Sequence, residues 1–192
     1  MNRANGPVKI IPHKDWTIEI HRDEDPQNPR EGCDGHLGTM TCFHRRYSLG
    51  DHDVWKGKVD EFKEWKKANE KNILSLPLYL YDHSGITMNT TGFSCPWDSG
   101  QVGVIYVTKE KARKEFGNLT KKKLDKIFSI LRAEVKTYDD FLTGEVFGYI
   151  VKNVAGAEVE SCWGFYGEED IPYAVDCAKQ IIDGMLNAKV VV

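Results

Sequence analysis

The chain reads as an α+β protein, a single domain whose mixed or antiparallel sheet is covered by three amphipathic helices. Apolar residues recur every three or four positions across 54–72, 120–142 and 171–186, the period of a helix with one buried face. Between these segments the apolar residues alternate or run together in the short β-rich stretches typical of strands. Helices and strands do not alternate as βαβ units would require, and no internal repeat is present. A length of 192 residues, 41% hydrophobic and 29% charged, suits one ordinary folded core.

Residues 1–15, with Gly6, Pro7 and Pro12, read as a flexible arm, so the domain proper is expected over 16–192. Trp16–Ile20 alternates as a short strand, and the Pro-, Gly- and charge-rich stretch 21–38 reads as a long loop. Residues 39–47 form a second candidate strand. The helix over 54–72 presents Trp55, Val59, Phe62, Trp65 and Ala68 on one face, with Asp53 placed as its N-cap. Strands follow at 76–81, 86–90 and 102–107, the first two joined by the His83–Ser84–Gly85 turn. Thr108 and Gly117 are placed to cap a short helix. The next helix buries Leu124, Ile127, Leu131, Val135 and Tyr138. Segments 145–151 and 157–166 make a hairpin, with Val159, Ser161, Trp163 and Phe165 expected on one face. The final helix carries Pro172 in its first turn, where a missing N–H costs little.

No apolar run reaches the length of a membrane span, and the first residues lack the apolar stretch of a signal peptide. The five cysteines show no framework spacing, so reduced thiols in a cytoplasmic setting are expected. The net charge of −3 conceals a polarity, because residues 134–192 hold four lysines against eleven carboxylates. Within 109–126 the balance reverses, with Lys121, Lys122 and Lys123 adjacent. Lysine runs of this kind are read first as a solvated helix face, and second as a surface for phosphate or an acidic partner.

The polar loop between the central strands gathers His83, Cys95, Trp97, Asp98 and Gln101. Cys95 and His83 are the candidate thiol nucleophile and base, with Asp82 or Asp98 to orient the imidazole. Pro96 argues against catalysis, since it removes a backbone N–H next to the would-be nucleophile. Cys33, His36, Cys42 and His44 offer zinc-type ligands, and Asp51, Asp53, Asp82 and Asp98 offer carboxylates for a hard cation. Neither set has a strong motif spacing, so no metal or cofactor is expected. Phosphate-loop, dinucleotide, Gly-x-Ser-x-Gly and His-Glu-x-x-His motifs are all missing. Trp97, between Pro96 and Asp98, is the tryptophan expected at the surface, as a contact residue for another protein.

Segments Leu78–Gly85, Ser94–Gly103 and Ser161–Gly167, together with Leu37–Asp51, resemble a family of uncharacterised proteins of phages and mobile elements. That resemblance implies a small accessory protein working in the cytoplasm of a bacterial host, and supplies no catalytic residues. The leading expectation is therefore a counter-defence inhibitor or modulator of a host protein, such as a nucleic-acid-targeting nuclease of the CRISPR or restriction type. Trp97, the Glu168–Glu169–Asp170 run and Lys121–Lys123 are the expected partner-binding residues. A Cys/His- or metal-dependent hydrolase is the alternative, and direct nucleic-acid binding is disfavoured by a pI near 6.1.

Overall fold

The α+β class is observed in the computed structural model, which describes residues 6–32, 35–51, 55 and 57–190. The strands form two antiparallel sheets rather than the one expected from sequence. The chain divides into two compact units: unit 1 joins Met1–Gln27 to Gly144–Val192, and unit 2 is the continuous stretch Asn28–Thr143.

Unit 1 contains strands β1 (Lys9–His13), β2 (Trp16–Arg22), β7 (Val146–Lys152) and β8 (Glu158–Tyr166), in that spatial order, and helix α4 (Ile171–Val190). Residues 9–13, assigned to the loose arm by sequence, are thus an edge strand paired with β2 from Lys9–Ile20 to His13–Trp16. Trp16, Ile18 and Ile20 of β2 and Phe147, Tyr149 and Val151 of β7 share one face, and Ala174, Ala178 and Ile182 of α4 pack in the same core. The expectation that Val159, Ser161, Trp163 and Phe165 share a face fails at Phe165. Phe165 pairs with Phe147, whereas Trp163 pairs with Gly148, so Gly164 is an extra residue in β8. Its φ of +87° fits a bulge, which sends Phe165 into the core and leaves Trp163 on the opposite face. The Trp163 ring then lies so close to Gly148 that a Cβ there would collide with it.

Unit 2 contains β3 (Thr39–Cys42), α1 (Val59–Asn69), β4 (Ile73–Asp82), β5 (Ile86–Asn89), β6 (Ser99–Thr108), α2 (Lys109–Phe116) and α3 (Lys121–Thr143). Its sheet order is β3-β6-β4-β5. One core joins Leu78, Met88 and Ile105 of the sheet to Ile127, Leu131 and Val135 of α3. A smaller aromatic cluster sets Phe62 of α1 against Val104 and Tyr106, with Trp55 and Trp65 beside it. The first helix begins at Val59 rather than 54: Gly57 at φ +78° and the Lys58 N–H bond to Trp55 O form a turn before it. Asp53, the expected N-cap, lies outside the described residues. Thr108 and Gly117 do cap α2, the first by accepting the Lys111 N–H at 3.1 Å, the second by donating to Arg113 O at 2.7 Å.

The stretch read as a long loop is held by one buried cation. The Arg30 side chain, 1% exposed, donates from Nε and Nη2 to the two Asp51 oxygens at 2.6 and 2.8 Å. It also donates from Nη1 to Glu134 of α3 at 3.1 Å and from Nη2 to Gly38 O at 2.8 Å. The two carboxylates in turn receive backbone N–H groups: Leu37 and Gly38 donate to Glu134, and Met40 donates to Asp51. Burial alone would lower the Arg30 pKa, but the hydrogen bonds and charges of Asp51 and Glu134 more than offset it and leave it raised.

Removing Arg30 leaves two carboxylates facing each other without their cation. Arg30→Ala is expected to destabilise unit 2 by about 3–5 kcal/mol, the usual cost of breaking a buried pair from one side. Urea unfolding followed by circular dichroism checks this; a loss of about 1 kcal/mol or less would show the network to be a surface-type contact.

Candidate binding surfaces

At one end of the unit 2 sheet, β4 and β5 are joined by a tight turn in which Ser84 takes φ +57°, and the segment 90–98 returns to β6. That segment is stitched to itself. Asn89 accepts the N–H groups of Thr91 and Gly92, Ser99 Oγ donates to Cys95 O, and Asp82 N–H donates to Asp98 O. Tyr81 stacks near His83 and Phe93 beneath it. The result is a firm mount for Trp97, whose side chain is 92% exposed.

His83, Cys95 and Asp98 do come together, but in an order unsuited to thiol catalysis. Cys95 Sγ donates to Asp98 Oδ2 at 3.7 Å, and His83 Nδ1 lies 3.3 Å from the same oxygen. In a nucleophilic triad the imidazole stands between nucleophile and carboxylate. Here the carboxylate is the shared centre, and its chemistry is to fix the loop. Asp82 is likewise engaged, accepting from Arg46 and from Tyr47 Oη.

The proposed metal ligands are employed otherwise. His44 Nδ1 accepts the Arg46 and Tyr47 N–H groups, both at 3.3 Å, and this turn ends the strand at Cys42 instead of 47. His36 bonds to Pro29 O, and Asp51 belongs to the Arg30 network. Cys33 and Asp53 lie outside the described residues. Among the described residues no group of three or more His, Cys, Asp or Glu side chains could hold a metal ion. Among them, too, no helix is long and apolar enough to cross a membrane.

The lysines of 109–126 divide by role. Lys109, Lys111 and Lys123 donate to the Lys71, His36 and Phe116 carbonyls, so Lys123 serves the C-terminus of α2. Lys126 lies over the Phe116 ring at 5.8 Å. Lys121 and Lys122 are exposed at the start of α3.

Glu168–Asp170 form a single 3-10 turn before α4. Sheet pairing places a second acidic run at the same end of the unit 1 sheet, with β7 between the two. Asp23 N–H donates to Val146 O, Val146 pairs with Tyr166, and Gly167 N–H donates to Glu145 O. The 23–25 and 168–170 segments therefore leave the same end of the unit 1 sheet. An open cavity of about 800 Å³ there is lined by Asp23, Glu24, Asp25, Trp163 and Tyr166. Tyr166 donates to Gln27 O at 2.6 Å; burial pushes its phenol up, and the Asp23 charge adds to the shift. Arg22 carries the cation at this end and is held by Glu145 at 2.8 Å and Gly144 O at 3.0 Å. Asp23–Asp25 were not singled out by sequence, although the run Asp23-Glu24-Asp25-Pro26 was the available signal.

No protein-family model, curated protein or solved structure matches the chain.

Both central residues of the unit 2 loop can be tested by substitution. Trp97→Ala should leave folding stability within about 0.5 kcal/mol, since almost nothing covers the indole. Cys95→Ser should also leave a folded protein, because a hydroxyl can keep the bond to Asp98. Thermal unfolding of each variant measures this; a drop of about 10 °C for Trp97→Ala would mean that the loop needs the ring for its own packing.

Proposed function

We propose that the chain is a binding protein that attaches to, and restrains or modulates, a partner carrying a basic surface. The observation that carries this reading is the segregation of charge between the two units. Unit 1 holds thirteen acidic and seven basic residues, whereas unit 2 holds sixteen acidic and nineteen basic. Its focus is the end of the unit 1 sheet from which 23–25 and 168–170 both leave, with Asp23–Asp25 lining a cavity beside the half-exposed Trp163. Excess exposed charge repels itself, and a basic partner relieves that repulsion while accelerating encounter. An indole at the margin adds apolar area and a face for cations.

The resemblance to phage and mobile-element proteins supplies the setting we favour, a host protein as target. A nuclease is an apt candidate, because the channel that holds its nucleic acid is basic and an acidic surface can compete for it. The hydrolase reading receives no support from the carboxylate-centred order of Cys95, Asp98 and His83.

Recovery of one stoichiometric nuclease from a bacterial lysate, identified by mass spectrometry, supplies the partner for measurement. Reversal of Asp23, Glu24, Asp25, Glu168, Glu169 and Asp170 to lysine should then weaken binding severalfold at about 0.05 M salt and much less at about 0.5 M, where screening is short-ranged. An unchanged affinity and salt slope, with binding abolished by reversal of Lys121–Lys123, would make the basic face the contact surface.

A further inference from the structure

The unit 2 sheet has a gap on one side of β6. Strand β3 pairs with β6 from Thr39–Tyr106 to Cys42–Gly103, and the last bond between them is Phe43 N–H to Val102 O at 2.7 Å. The chain then turns away through His44, Arg45 and Arg46. Residues Ser99–Gln101 of β6 still pair with β4 on their other side. Toward β3 they have no strand beside them among the described residues. The space so opened is a cavity of about 670 Å³ between the 43–46 segment and 97–102 of the β6 strand and its approach. Gly100 lines it, with nothing within 4 Å of the place a Cβ would occupy.

The polar groups around this gap are unbalanced in favour of donors. Asp82 is taken by Arg46 and Tyr47, and Asp98 by Cys95 and His83. Arg45 is exposed and makes no ion pair or hydrogen bond among the described residues. Because His44 accepts backbone N–H groups at Nδ1, its proton sits on Nε2, a further donor. Arg46, 65% exposed, keeps N–H groups beyond the one on Asp82. Trp97 projects at the same rim.

We propose that this gap is a docking site for an extended acidic segment of a partner protein, which adds to β6 as a short strand alongside Ser99–Gln101. A row of backbone donors and acceptors without a neighbouring strand is satisfied best by another peptide backbone. The excess cation and N–H donors of Arg45, Arg46 and His44 select carboxylate-bearing side chains, and Trp97 covers an apolar side chain between them. A nucleic acid would also meet the arginines and the indole, but it would leave the strand edge unpaired. The site takes a partner of charge opposite to the one drawn by the acidic end of unit 1, and it stands on different residues.

The test uses the purified full chain and a fluorescein-labelled peptide of roughly six residues alternating glutamate and valine, the length of a typical strand. Anisotropy titration should show saturable binding. Arg45→Glu, at an exposed position with no ion pair or hydrogen bond among the described residues, should weaken binding by about tenfold, and Trp97→Ala by a similar factor. The same peptide with alternate backbone nitrogens methylated should bind at least about tenfold more weakly, because its side chains are intact and only its strand pairing is lost. Failure of the glutamate peptide to bind overturns the proposal. So does equal binding of a lysine–valine peptide, equal binding of the methylated peptide, or tighter binding of oligothymidylate of equal charge. The peptide is added directly, so this outcome is independent of which protein the acidic end recognises.

Discussion

The fold of unit 2 turns on Arg30, a buried cation that ties a loop, the approach to β3 and α3 together. Its guanidinium closes a triangle with Asp51 and Glu134, and each carboxylate then collects backbone N–H groups from the 37–40 segment. A cation this deeply buried survives only when paired and fully hydrogen-bonded. Its partners come from a loop, the approach to β3 and the middle of α3, so one side chain fixes three pieces of chain. The described residues of 23–38 form no helix or strand, yet the backbone of Leu37 and Gly38 is tied down where the chain enters the sheet. The position of β3, and with it the point at which β3 leaves β6, follows from that anchor.

Asp139 repeats the device on the far edge. Its Oδ1 accepts from Thr87 Oγ1 and from Met88 N–H, both at 2.7 Å, and so holds β5 to α3. Tyr138, one residue before it, accepts the Gly50 N–H at 3.0 Å, and burial raises its phenol pKa. A single helix thus carries Glu134, Tyr138 and Asp139 to three separate backbone segments. Its apolar stripe supplies the attraction and these polar groups set the register. The surfaces that face partners are mounted on this frame: Trp97 stands on a loop closed by its own hydrogen bonds, at the end of two long paired strands.

Local pattern was enough to read the helices, because Leu131 and Val135 of α3 and Ala174 and Ala178 of α4 repeat at the helical period along the chain itself. It was also enough for the centres of β4 and β6 and the cap at Thr108, but β6 begins at Ser99, so Gln101, read as loop, lies in a strand. The two-sheet arrangement could not be read in this way. Residues Trp16–Arg22 pair with Val146–Lys152, and nothing within either strand names a partner that far along the chain. The face reversal at Phe165 hinged on a positive φ at Gly164, which sequence marks only as a permission. Loop carboxylates such as Asp23–Asp25 look alike in sequence whether they solvate a turn or line a cavity. Trp97 was recognisable, since proline before it and aspartate after it hold no place in a core. The gap beside Ser99–Gln101 was not, because it is defined by where β3 stops.

Unit 1 is assembled from two segments separated by the whole of unit 2, and this arrangement imposes an order on synthesis. The β1–β2 hairpin leaves the ribosome with Trp16, Ile18 and Ile20 on one side, and a lone hairpin is marginal in water. Its covering strand β7 and helix α4 follow only after the residues between, a delay of roughly ten seconds at common elongation rates. Unit 2 is contiguous and can collapse during that interval, replacing a long coil by a compact insert. Closing the gap between β2 and β7 then costs less chain entropy than joining them through an unfolded loop. The nascent hairpin is therefore a segment in need of shelter, and folding of the inserted unit hastens the arrival of its cover.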